Sequence, residues 1–67
     1  MRLREVIDLS DHDEAIGRMR VIDVLEALPA IGPTKAERIM TRLAIAPSRR
    51  LRGLGAHQRR RLLEEFA

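Results

Sequence analysis

Apolar residues recur along this chain at intervals of three and four. Leu3, Val6 and Ile7 begin the pattern and predict a short helix over residues 2–9. Ser10 or Asp11 then reads as an N-cap, with Asp13 and Glu14 in a first turn where the helix dipole favours acids. The helix started there is short, carries Ala15, Ile16 and Met19, and meets Gly17. Val21, Val24, Leu25 and Leu28 form a complete i, i+3, i+4, i+7 stripe, which Pro29 stops. Gly32-Pro33-Thr34 is a tight turn, and Pro33 suits the first position of the next helix. Ala36, Ile39, Met40 and Leu43 repeat the stripe. Ala46-Pro47-Ser48 opens a longer connection, with Gly53 and Gly55 near its end. A last helix over residues 56–66 turns Leu62, Leu63 and Phe66 inward.

No segment alternates with period two, so a sheet is not expected. The pattern predicts an all-α, compact bundle of about five helices, two of them short, with a helix-hairpin-helix core. Helices of this length are marginal alone and depend on packing, so stability is expected to be modest. With 67 residues the chain fills one core and reads as one domain, 1–67, with short helices over 1–18 and the core over 19–66.

Charge changes the picture more than composition does. Cysteine is absent, which excludes disulfides and thiolate metal sites and suits a reducing cytoplasm. No apolar run approaches the roughly 18 residues of a membrane span, and no signal peptide is visible. The net charge is +3 and the isoelectric point about 11.0. All basic residues but Lys35 are Arg, whose planar fork suits phosphates and guanine edges. A GC-rich coding sequence gives the same preference, so that bias alone decides little. The distribution is more telling. Residues 1–28 hold four basic and seven acidic side chains, net −3, whereas residues 29–67 hold nine and three, net +6. A basic half of this kind is the footprint of a polyanion binder. A membrane surface is disfavoured, because no helix joins a basic face to a large aromatic one.

Two constellations carry candidate chemistry. In Leu28-Pro29-Ala30-Ile31-Gly32-Pro33-Thr34-Lys35, a helix ends, a hairpin turns, and a second helix begins. The amides of Gly32, Thr34 and Lys35 would lie at a helix N-terminus, where unpaired N–H groups and the dipole favour an anion. Gly32 admits close approach to the backbone, and Lys35 and Arg38 add charge. This is the pattern of a helix-hairpin-helix element, whose usual form has Gly where Ala30 stands; an ordinary corner between two helices would use the same turn residues. The second constellation is Ser48-Arg49-Arg50-Leu51-Arg52-Gly53-Leu54-Gly55. Leu51 and Leu54 should anchor this loop with the Arg heads outward, toward a phosphate backbone or a groove edge.

Other candidates are weaker. Arg59-Arg60-Arg61 fan over about 200° of a helix and cannot meet one ligand, which leaves Arg59 or Arg60 to touch phosphate. Asp11-His12-Asp13-Glu14 lacks a second ligand set and reads as a helix cap rather than a metal site. His57 reads as a surface residue. No Ser-His-Asp order, inward carboxylate pair or P-loop supports an enzyme, and no cofactor is expected. Phe66 is the only aromatic and faces inward, so base stacking is not available and a duplex is the expected partner.

From Met19 to Phe66 the sequence resembles the helix-two-turns-helix domain of the actinobacterial integration host factor family of nucleoid-associated proteins. The resemblance is carried by the LEALP segment, the hairpin ending in Gly32, the Ile39-Met40 pair, SRRLRGLG at 48–55 and QRRRLLEEF at 58–66. More distantly, the core is similar to a small-subunit ribosomal protein with this domain, and it shares the hairpin with DNA-repair glycosylases. The resemblance implies that Gly32, Thr34, Lys35 and Arg38 face phosphates. It implies that Arg49, Arg50 and Arg52, with Ser48 and Gly53, form a second DNA surface reaching toward a groove. Family members usually carry a longer N-terminal helical extension. Here the first helix begins almost at Met1, so a truncated chain without that arm is expected.

The expected function is non-enzymatic, sequence-tolerant binding and bending of double-stranded DNA in the bacterial cytoplasm and nucleoid. Phage integrase complexes are the further partner class, with the chain monomeric in the absence of DNA. The alternatives are an rRNA-binding ribosomal component and an accessory domain of a repair enzyme.

Overall fold

The computed structural model describes residues 2–66. Five α-helices follow one another: α1 (Leu3–Ser10), α2 (Glu14–Gly17), α3 (Val21–Glu26), α4 (Pro33–Arg42) and α5 (Ala56–Glu65). A 3-10 turn, Leu51–Gly53, interrupts the connection between α4 and α5. The short helices are expected over residues 1–18; α2 is indeed short at four residues, but α3, whose stripe predicts a helix to Leu28, has only six and is shorter than α1 with eight.

The first cap differs from the expectation. Neither Ser10 nor Asp11 caps α2. Ser10 is the last residue of α1, and its buried hydroxyl donates to the Ile7 carbonyl at 2.5 Å. Asp13 is the N-cap, and its Oδ1 accepts from the amides of Ala15 (2.9 Å) and Ile16 (3.2 Å). Spacing alone could not choose among three capping residues within four positions; α1 runs on through Ser10 and takes Asp11 as its C-cap, which leaves Asp13. Gly17 then lets α2 approach α1, since a Cβ there would lie 3.0 Å from the Ser10 carbonyl oxygen.

The helix before the hairpin also stops early. α3 ends at Glu26, three residues short of Pro29, and the chain continues through single turns, Leu28 N–H to Leu25 O (3.1 Å) and Ile31 N–H to Leu28 O (3.2 Å). α4 ends in a Schellman motif. The Ile45 amide donates to the Met40 carbonyl (2.9 Å) and the Ala44 amide to the Thr41 carbonyl (3.1 Å), with Ala44 at φ 56°. Ile45 and Met40 are both buried, the apolar contact that accompanies this motif.

One core serves all these elements. Ile7 of α1, Val21 and Leu25 of α3, Leu51 of the 3-10 turn and Leu62 of α5 are fully buried, with Ala36, Ile39 and Met40 of α4 around them. The stripes of α1, α3 and α4 thus do what their spacing predicts. Leu63 and Phe66 are only half-buried, and Met19, which lies beyond the end of α2, is exposed. Among the described residues the one β-type pairing is an isolated antiparallel bridge between Arg20 and Arg50. In it, Val21 N–H donates to Arg49 O and Leu51 N–H to Met19 O, each at 2.9 Å. This bridge staples the SRRLRGLG loop to the segment between α2 and α3.

Candidate nucleic-acid interface

The hairpin site is built by the start of α4. Gly32 is the N-cap in extended conformation (φ −86°, ψ 173°), and Pro33 takes the first helical position. Gly32 has no side chain to cap the helix, so the Thr34 and Lys35 amides of the first turn have no side-chain acceptor. A Cβ at Gly32 would meet nothing within 4 Å, so the space before these amides is open. The fold itself therefore does not require Gly here. The strained position is Ala30, at φ 65°, in the left-handed region that favours glycine. This is the physical reason that the usual hairpin places Gly at that point.

Thr34, Lys35 and Arg38 are exposed and line one shallow recess of about 490 Å³ on α4, together with Ile39 and Arg42. Arg42 is taken by Glu65 in an ion pair, which leaves Lys35 and Arg38 as the recess's cations without a carboxylate partner among the described residues. The α-helical spacing of Lys35, Arg38 and Arg42 puts them on one face, as i, i+3 and i+7 residues must be.

Ser48, Arg49, Arg50, Arg52 and Gly53 line a second recess of about 380 Å³. Leu51 (1% exposed) and Leu54 (8%) anchor the loop, as their pattern predicts. The three Arg side chains are exposed, but two of the heads do not simply point outward. The Arg49 guanidinium folds back on the loop and donates to the Gly53 carbonyl at 3.1 Å. A Cβ at Gly53 would lie 3.2 Å from Arg49 Cδ, so glycine permits this fold-back. Arg50 Nη1 donates to the Arg18 carbonyl at 2.5 Å, alongside the Arg20–Arg50 bridge. Arg52 makes no such bond among the described residues.

Ion pairing sorts the arginines. Arg18 pairs with Glu14 at 2.5 Å, and Arg20 with Asp23 through a fork of 2.9 and 3.1 Å. Arg59 and Asp11 form a second fork, both bonds 3.0 Å. The hydrogen bonds of that fork, with the Arg59 charge, hold Asp11 below the usual carboxylate range and raise Arg59. Arg59 is therefore committed within the protein and is not free for phosphate as the Arg59-Arg60-Arg61 run suggested. Among the described residues no carboxylate lies in ion-pair range of Lys35, Arg38, Arg49, Arg50 or Arg52. The sequence pattern could not foresee the Arg59–Asp11 fork, whose members are 48 residues apart.

An all-α fold, a hairpin opening onto an uncapped helix start, and a second basic recess on a stapled loop define a helix-two-turns-helix module. The model of the S13-like H2TH domain matches residues 1–66, and the chain belongs to that family. It is 55% identical over 64 residues to the integration host factor of Mycolicibacterium smegmatis, covering 96% of this chain and 61% of that protein. It is 47% identical over 64 residues to the integration host factor of Streptomyces coelicolor, covering 96% of this chain and 60% of the relative. The chain thus spans about three fifths of the length of these relatives. A solved structure of sIHF bound to an 8bp palindromic DNA superposes over 100% of this chain and 75% of that one, with a TM-score of 0.97 and 45% identity.

Proposed function

We propose that this chain is a non-enzymatic binder of double-stranded DNA that tolerates sequence and shapes the duplex, in the manner of a nucleoid-associated protein. The observation that carries this reading is the sorting of charge. Among the described residues Arg18, Arg20, Arg42 and Arg59 pair with carboxylates, while of the unpaired cations Lys35, Arg38, Arg49, Arg50 and Arg52 gather in two recesses and Arg2, Arg4, Arg60 and Arg61 lie outside them. A protein that needed these five only for solubility would gain nothing from clustering them, since like charges repel.

In this reading Gly32, Thr34, Lys35 and Arg38 hold phosphate by the mechanism of a helix N-terminus. The open space at Gly32 admits an oxygen to the Thr34 and Lys35 amides, and the two side chains neutralise it. Ser48, Arg49, Arg50, Arg52 and Gly53 form the second surface, where Arg forks meet phosphate or a groove edge. Arg49 and Arg50 exchange their bonds to the Gly53 and Arg18 carbonyls for bonds to DNA. The Cα envelope is 29 × 22 × 22 Å, so one molecule reaches along less than about one turn of duplex (~34 Å). Two separate contact surfaces on so small a molecule let it bend one duplex or bridge two. The support from relatives is the integration host factor name and the DNA-bound neighbour. The place of action is then the bacterial nucleoid, with phage integrase complexes as users of the bent duplex and the chain monomeric before it meets DNA.

The test is titration of one chain with duplex DNA, single strands and structured RNA across a range of salt. With five or six phosphates neutralised, log K on duplex falls against log salt with a slope near about −5. Tighter binding to structured RNA would overturn the reading in favour of a ribosomal role, and tighter binding to single strands would overturn the duplex preference.

A further inference from the structure

Resting on that reading, we propose that Arg2 and Arg4 are a third group of phosphate contacts, which extends the hairpin site over the start of α1. They are the only cations in the first 17 residues, among Glu5, Asp8, Asp11, Asp13 and Glu14. Helical spacing offers each a partner: Glu5 lies three residues after Arg2, and Asp8 four after Arg4. Equivalent spacings are used by Arg18 with Glu14 and by Arg20 with Asp23, though not by Arg60 with Glu64 or Arg61 with Glu65, which border no such cleft beside the hairpin. Among the described residues neither Arg2 nor Arg4 forms such a pair.

Both residues instead line a cleft of about 510 Å³ beside the hairpin, whose walls include Leu28, Pro29, Ile31 and Phe66. Leu3, between them, is buried and fixes the end of α1 on the core. The Arg2 carbonyl accepts the amides of Glu5 (3.0 Å) and Val6 (3.2 Å), so the backbone at the cleft's edge is set by the helix. Arginine stems lie readily along apolar walls while the heads stay in water. Low-dielectric walls also focus the field of those heads outward. The hairpin wall of this cleft, ending at Ile31, leads directly into Gly32 and the uncapped amides of α4. A strand whose phosphate sits at Gly32 passes the hairpin with Lys35 and Arg38 in one recess and Arg2 and Arg4 in another. The acidic N-terminal half thus contributes two cations to the surface otherwise built by the basic half.

The experiment compares salt slopes on one short mixed-sequence duplex. Arg2→Gln with Arg4→Gln keeps the stems over the cleft and removes both charges. The expected result is a slope shallower by about 1.8, from roughly 0.9 per phosphate, with circular dichroism and melting unchanged. Arg18→Gln with Arg20→Gln removes the same charge from side chains already paired, and its slope is expected to match the parent. Arg2→Lys with Arg4→Lys is expected to keep the parent slope. An unchanged slope in the Gln pair, or an equal loss in the Arg18 and Arg20 control, overturns this inference while leaving the hairpin and loop sites standing. A parent chain with no salt-dependent duplex binding overturns the proposed function itself.

Discussion

Arg59 of α5 grips Asp11, the residue that closes α1, through two parallel hydrogen bonds of 3.0 Å. A carboxylate at a helix C-terminus opposes the dipole, and the guanidinium offsets this while joining the end of α1 to α5. The fork lowers the pKa of Asp11 from 3.8. A carboxyl whose folded pKa lies below its unfolded value stabilises the fold above the unfolded pKa, and that contribution is lost as pH falls through the folded one. The loss therefore falls below about pH 3.8. Melting temperature measured from neutral pH downward should drop through that window more steeply in the parent than in Arg59→Gln, where the fork is absent.

Gly32→Asp should separate binding from folding. A Cβ there meets nothing within 4 Å, and the position is the N-cap of α4. Asp is a good N-cap and Gly only slightly worse, so stability should hold or rise by about a few tenths of a kcal/mol. The same carboxylate occupies the place of the proposed phosphate, and duplex affinity should fall clearly. Paired thermal melts and duplex titrations check both halves. Native melting together with parent-like affinity would remove the hairpin from the interface.

Ala30 and Ala44 sit at φ 65° and 56°, one in the hairpin and one at the end of α4. Ala30→Gly and Ala44→Gly should each relieve left-handed strain of about 1–2 kcal/mol, less the entropy that glycine adds to the unfolded chain. The net gain should be roughly 0.5–1 kcal/mol per site, read as a higher denaturant midpoint at unchanged m-value.

The loop offers the sharpest contrast. Changing Arg49, Arg50 and Arg52 together to Ala removes two exposed bonds to carbonyls and should cost about 1 kcal/mol of stability or a little more. Duplex binding should be severely impaired. Leu51→Ala empties a position 1% exposed and should cost about 2–5 kcal/mol, a large share of the stability of so small a chain. Its loss of binding should follow its loss of fold. A triple mutant that unfolds yet binds duplex at low temperature would make these arginines structural.

Local spacing determined a good part of this protein. The stripes of α1, α3 and α4, the position of Pro33 and the anchoring of Leu51 and Leu54 all follow from helical period and turn chemistry, which act within a few residues. The basic half was legible as charge, and the hairpin as a motif. Pairing across the chain was not. That Arg59 answers Asp11, that Arg50 reaches the Arg18 carbonyl, and that Arg20 and Arg50 form a bridge depend on where folded elements meet. Sequence distance carries no trace of such contacts. The same limit hid the choice of Asp13 as cap and the placement of Arg2 and Arg4 beside the hairpin. The sequence supplied the charges and the helices; only packing around the single core decided which arginines are neutralised and which stay open to a ligand, because that choice is made by distance in space.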